Sequence, residues 1–182
     1  MEKCRIIFSG SGGQGIITAA VILAEAAVLH EDMMAVQSQV YGPQARGGVS
    51  RSDVIISDSK IDFPKVIQPN VLVCLTQASY NKYSPMIRPG GLLLSDEKYV
   101  SADRKADARQ ISLPMYDTVM IKIKKPVVFN ICGLGVLISL TKLVKPESIM
   151  KVLNTRIPSE VLKINREALD IGIHMGAKYS RD

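Results

Sequence analysis

The sequence predicts an α/β protein, a three-layer α/β/α sandwich around a mostly parallel, Rossmann-like sheet, in one domain spanning residues 1–182. Three observations carry that prediction. The chain opens with a short apolar run that passes through a glycine-rich turn into a long apolar helix former. Short apolar runs bounded by turn residues then recur through the first two thirds. The last third changes to helical spacing, with prolines where helices should start.

Taken in order, residues 4–8 form the first strand, and Ser9-Gly10-Ser11-Gly12-Gly13-Gln14-Gly15 is the turn that leaves it. Residues 16–29 are rich in Ala, Ile and Leu and apolar on nearly every face, which describes a buried helix. Residues 33–40 make the second strand, expected beside the first. Residues 49–56 alternate at first, with Arg51 and Asp53, then run continuously apolar to a turn at 57–59. Residues 70–75 and 92–95 read as interior strands, with a short helix over 77–83 between them and Pro89-Gly90-Gly91 as the turn before the latter. A charged, exposed loop over 97–110 leads to a last strand at 111–113. Pro126 opens a helical segment in which Asn130 suits an N-cap and Gly133 and Gly135 permit close approach of another backbone. Pro146 and Pro158 mark two further helix starts. The final helix, 158–176, places Val161, Asn165, Ala168, Gly172 and Met175 on one stripe.

Composition narrows the chemistry. Lys and Arg number 23 against 17 Asp and Glu, but the basic residues are interspersed with acidic ones, and there is no Trp. A nucleic-acid surface with a base-stacking platform is therefore not expected. Three cysteines, Cys4, Cys74 and Cys132, lie far apart in apolar contexts, a pattern of reduced intracellular thiols too sparse for an iron–sulfur cluster. His30 and His174 are the only histidines and have no second ligand at metal spacing, and His30 suits a helix C-terminus. The chain enters an apolar strand at once, without the pattern of a secretory leader, and its longest apolar stretch is too short to span a bilayer. The expectation is a cytoplasmic chain, bound to no membrane, that is 47% hydrophobic and poor in catalytic groups.

Two loops stand out. Gly10-x-Gly12-x-x-Gly15, with Gly13 and Gln14 inside it, sits between strand and helix, where helix N–H groups can meet a phosphate. The dinucleotide reading also needs an acidic residue at the end of the second strand, which here reads Gln37-Ser38-Gln39-Val40-Tyr41. Glu31 and Asp32 precede that strand, at the wrong end of the sheet, and no Walker lysine follows Gly15. A phosphate cradle and a tight βα turn both remain open. The second loop is Tyr41-Gly42-Pro43-Gln44-Ala45-Arg46-Gly47-Gly48, in which Arg46 offers a five-donor fork for a carboxylate or phosphate, or a structural pair for Asp53 or Asp58. Both loops are expected at the carboxyl edge of the sheet, where open α/β sheets place their crevices.

In this order and separation, these loops resemble those of the gamma subunits of 2-oxoacid:ferredoxin (or acceptor) oxidoreductases. Ser52-Asp53-Val54-Ile55-Ile56-Ser57, Pro89-Gly90-Gly91, Asn130 with Gly133 and Gly135, and the helix bearing Asn165, Ala168 and Gly172 extend the resemblance from about residue 4 to 176. Ser50 to Asp58 and Leu75 to Tyr80 look most like the 2-oxoglutarate type, with pyruvate and ketoisovalerate types as the other members. The resemblance implies a subunit of an enzyme that decarboxylates a 2-oxoacid oxidatively, forms the acyl-coenzyme A and reduces ferredoxin. It implies no cofactor on this chain and no activity of the chain alone. Thiamine diphosphate, magnesium and iron–sulfur clusters would sit on alpha, beta or delta partners. Gly10, Gly12, Gly13, Gln14 and Gly15 stay a candidate cofactor-binding loop facing the alpha–beta active-site region, and Tyr41, Arg46, Gly47 and Gly48 are expected to be active-site or subunit-interface residues. The alternative is a stand-alone nucleotide- or coenzyme-binding module built on the glycine loop. Part of the apolar surface is expected to be covered by other chains.

Overall fold

The computed structural model describes residues 3–40, 48–102 and 106–180. The apolar runs become one six-stranded sheet: β1 (Cys4–Ser11), β2 (Met34–Val40), β3 (Val49–Ser57), β4 (Val71–Cys74), β5 (Gly91–Asp96) and β6 (Ala108–Leu113). Their spatial order is β2-β3-β1-β4-β5-β6. The β1/β4, β4/β5 and β5/β6 ladders are parallel, while β3 runs antiparallel to both β1 and β2, so the sheet is mixed. The second strand is thus not beside the first, as expected, but at the edge with β3 between them. The physical reason lies in side-chain polarity. β3 carries Val54, Ile55 and Ile56, buried on both faces, and takes the interior position. β2 carries Gln37, Ser38 and Gln39 and accepts the half-buried edge.

Helices cover both faces unequally. α1 (Ile16–His30), α3 (Met115–Lys122), α4 (Phe129–Thr141), α5 (Pro146–Arg156) and α6 (Ser159–Ala177) pack on one side, and α2 (Gln77–Tyr83) on the other. Strand alternation sorts the core. Ile6, Phe8, Val54, Ile56, Val71 and Val73 join the larger cluster, and Ile7, Ile55 and Leu72 join the smaller one with Tyr80 and Tyr83. Each such side chain contributes about 1.5–3 kcal/mol on burial. The sequence does not predict α3. Its start is held by a distant carboxylate: Tyr116 N donates to Asp96 Oδ2 at 2.8 Å, from the end of β5. The loop expected to be exposed over 97–110 also buries Val100, and β6 already starts at Ala108.

α4 is buried along its whole length from Phe129 to Ser139. Its partner α6 approaches through backbone: a Cβ on Gly135 would strike the Leu169 carbonyl, and one on Gly172 the Cys132 carbonyl. Gly133, expected to share that role, has open space where a Cβ would sit. Asn130 does not cap the helix, which begins at Phe129 after a 3-10 turn, Pro126–Val128. On α6 the stripe runs through buried Asn165, Ala168 and Gly172, with Asn165 Nδ2 bonded to Val161 O at 2.8 Å within the helix.

Glu31, which precedes β2 as expected and caps the C-terminus of α1, ties α5 to α1. Its Oε1 accepts from Lys145 N at 2.9 Å and from the Ser148 hydroxyl at 2.6 Å, while Arg156 on α5 pairs with Glu25 on α1. Burial works to raise the Glu31 carboxyl, but the Ser148 and Lys145 bonds and the Lys145 charge outweigh it and hold it below its ordinary value.

Gly172→Ala should destabilise the fold by about 2–3 kcal/mol, because two packed helices must separate to admit one methyl. Gly133→Ala should stabilise it by about 0.5–1 kcal/mol through helix propensity. Thermal melts of the two variants check the contrast. Because the folded carboxyl of Glu31 is lowered, its contribution exists above the unfolded carboxylate range and is lost as pH falls through the folded value. Glu31→Gln should therefore lower stability at neutral pH and flatten the acid limb of the stability curve, measured by urea unfolding between pH 3 and 7.

Candidate functional site

β1 hands the chain to α1 on one face, and its neighbour β4 hands it to α2 on the other. The carboxyl ends of β1 and β4 are therefore a topological switch point, where α/β sheets open a crevice. The glycine loop lies there, and its own side chains close the gap. Gln14 Oε1 accepts from Ser11 N at 2.7 Å, and Gln14 Nε2 donates to the Leu75 carbonyl at 3.2 Å, across to the end of β4. Gly10 is glycine because a Cβ would strike the Gln14 amide. Gly15 has φ 69°, and a Cβ there would lie 2.5 Å from Asn130 Nδ2, which donates to Gly15 O at 3.0 Å. Asn130 Oδ1 is buried without a hydrogen-bond partner.

The loop thus splits into two functions. Gly10, Gln14 and Gly15 are committed to closing the crevice and seating α1. Gly12 and Gly13 are exposed, and a Cβ at either would meet nothing within 4 Å. They present a backbone strip that another molecule can approach. No acidic side chain stands in the first turn of α1, and no side chain caps it.

β2 ends and β3 begins at this same edge, since Val49 is opposite Ser11 and Val40 opposite Arg51. Half-buried Gly48 is accordingly adjacent to the glycine loop. Tyr41, Arg46 and Gly47 lie outside the described residues. Asp53, one of the structural partners considered for Arg46, is taken by Arg51, whose Nε and Nη2 reach its two oxygens at 2.6 and 2.8 Å. Asp53 is buried and Arg51 half-buried, and Arg51 also donates to the Val66 carbonyl at 2.6 Å and lies 5.2 Å from the Tyr83 ring. The sequence places Arg51 on a strand but not in an ion pair; the alternation Arg-x-Asp on one strand face is the available signal. The Asn130–Gly15 contact, spanning 115 residues, has no local signal.

Burial disfavours the thiolate form of all three cysteines. Burial pushes Cys4 up to about 11, partly offset by the Arg5 charge, and Cys74 up to about 12, partly offset by the Ser79 hydroxyl. Cys132 reaches about 12 through burial and the Asp96 charge. Among the described residues no group of three His, Cys, Asp or Glu could hold a metal ion, and no helix is long and apolar enough to cross a membrane.

Residues 5–175 match the family model described as pyruvate ferredoxin/flavodoxin oxidoreductase. A 2-oxoglutarate synthase subunit, KorC, of Methanocaldococcus jannaschii is 47% identical over 92% of this chain and 91% of its own. The crystal structure of a keto/oxoacid ferredoxin oxidoreductase gamma subunit from Geobacter sulfurreducens superposes with a TM-score of 0.88 at 38% identity, covering 96% of this chain and 99% of that one. The fold also recurs, with a TM-score of 0.89 and 21% identity, in 32% of a chain of the 2-oxoglutarate:ferredoxin oxidoreductase from Magnetococcus marinus.

At pH 8 a thiol of pKa about 11 is about a thousandth thiolate, against about a quarter for an unfolded cysteine. Iodoacetamide should accordingly modify the native chain at least about 100-fold more slowly than the chain in guanidinium, where all three cysteines react. Mass spectrometry of timed samples reads the difference.

Proposed function

Because the chain belongs to the pyruvate ferredoxin/flavodoxin oxidoreductase family, we propose that it is the gamma subunit of a cytoplasmic 2-oxoglutarate:ferredoxin oxidoreductase. The complex oxidatively decarboxylates the 2-oxoacid, transfers the acyl group to coenzyme A and passes two electrons to ferredoxin. The observation that carries the reading is 47% identity, nearly end to end, with a 2-oxoglutarate synthase subunit of matching length. Other subunits are expected, here alpha and beta chains with or without a delta chain.

Thiamine diphosphate, magnesium and the iron–sulfur clusters are assigned to those partners. The cysteines of this chain do not fit a cluster. Cys74 faces the smaller core, Cys132 lies across the sheet in the larger one, and Cys4 starts β1 at the opposite edge. What this chain offers is its carboxyl edge. The exposed Gly12–Gly13 strip, Gly48 and Arg46 would face the alpha–beta active-site region, with Arg46 anchoring a neighbour or one end of coenzyme A. The support is geometric: both strands that flank the second loop end beside the glycine loop. Gln14 closing the switch point argues against a nucleotide lodged in the crevice of the isolated chain.

The test is reconstitution. The chain alone should turn over no 2-oxoglutarate with an artificial acceptor, and the complex should be active. Arg46→Ala in the complex should weaken assembly or raise the KM for coenzyme A by about tenfold, about 1.4 kcal/mol. Unchanged assembly with unchanged coenzyme A dependence would remove Arg46 from the site. Tight nucleotide binding by the lone chain would favour a stand-alone binding module instead.

A further inference from the structure

The opposite edge of the sheet, where the parallel strands begin, carries a feature that the proposed activity does not use. Two adjoining hollows of about 530 and 510 Å³ share Arg88 and Pro89 and form one trough. Four cations line it: Arg5 on β1, Lys65 in the segment before β4, Arg88 before β5 and Arg109 on β6. No carboxylate is among the lining residues of either hollow. Among the described residues, none of Arg5, Lys65 and Arg88 forms an ion pair, whereas Arg109 is bonded to the Tyr179 carbonyl. Unneutralised like charges gathered in one depression repel one another and favour an anionic occupant.

The trough is held rigid. Asn70 N donates to Arg5 O at 2.7 Å, Arg5 N returns to Asn70 Oδ1 at 2.9 Å, and Arg88 N donates to Pro69 O at 3.1 Å. Arg51, held by Asp53, donates to the Val66 carbonyl. With Val66 in the core, Phe63 and Ile67 on either side of Lys65 are turned outward, 57% and 64% exposed. An apolar and cationic surface is thereby fixed in place before anything binds.

The spread of the cations selects the occupant. From Arg5 on β1 to Arg88 before β5 the edge crosses two strand spacings, about 10 Å at about 4.8 Å each. That is too wide for a single phosphate or carboxylate group and matches at least about three residues of extended chain at about 3.3 Å per residue. We infer that the trough seats an extended segment of a partner subunit, with carboxylates against Arg5, Lys65 and Arg88 and an apolar side chain against Phe63 and Ile67. The assignment rests on the reading of this chain as a subunit.

Zero-length carbodiimide coupling on the purified native complex tests it, because that reagent joins an amine only to a carboxylate in direct contact. Lys65 should couple to an Asp or Glu of a partner chain, identified by mass spectrometry. Its acetylation in the complex should be about tenfold or more slower than in the isolated chain. The Arg5→Ser, Lys65→Ser, Arg88→Ser variant should shed its partner at lower salt than the wild type. Partners present with Lys65 acetylated at the isolated-chain rate would overturn the trough assignment alone. Coupling of Lys65 to a second copy of this chain would replace the partner segment by a homotypic contact. A native chain that purifies with no partner would remove the subunit reading, and this inference with it.

Discussion

Much of the molecule is arranged around the burial of α4 from Phe129 to Ser139. A helix apolar on all sides cannot lie on a surface, and here it packs against α6, α1 and α3 and shares one apolar core with the sheet. Enclosure at such short range is possible because Gly135 and Gly172 let the two helix backbones touch, and because the Ser139 hydroxyl satisfies the Ile173 carbonyl at 3.0 Å. The N-terminal end of the same helix projects Asn130 onto Gly15. One buried helix therefore fixes both the packing of the C-terminal helices and the position of the glycine loop.

That loop acquires a meaning different from the one its pattern suggests. In a dinucleotide site the glycines clear space for a ligand. Here Gly10 clears space for Gln14 and Gly15 for Asn130, so the protein fills its own switch-point crevice. Gly12 and Gly13 are left to face outward. Such a surface suits a subunit whose chemistry lies on other chains: rigid, closed and shaped for contact. The two edges of the sheet differ in character, with the exposed Gly12–Gly13 backbone at the carboxyl edge and a cationic, apolar trough at the other.

Local signals are faithful where local physics dominates. The helix over 77–83 is legible because Thr76 and Ser79 form a capping box, and the starts at Pro146 and Pro158 because proline's missing N–H costs nothing in the first turn of α5 or just before α6. α3 is not legible, since its first turn depends on Asp96, nineteen residues before Met115 in the chain, rather than on a cap of its own. Asn130 reads as an N-cap from its neighbours, but its amide is committed to a residue 115 positions away.

The sequence by itself determined the class of fold, its apolar strands, the two conspicuous loops and the family they resemble, because these follow from periodicity, turn chemistry and residue order. The tertiary structure alone decided that β3 would enter between β1 and β2, that Gly135 rather than Gly133 would meet α6, and that Gln14 would seal the crevice. It also gathered Arg5, Lys65, Arg88 and Arg109, scattered over a hundred positions, along one edge. The reason is physical. Strand order and helix contact depend on which surfaces bury the most apolar area once the whole chain has folded, and nonlocal burial leaves no mark in a window of neighbouring residues.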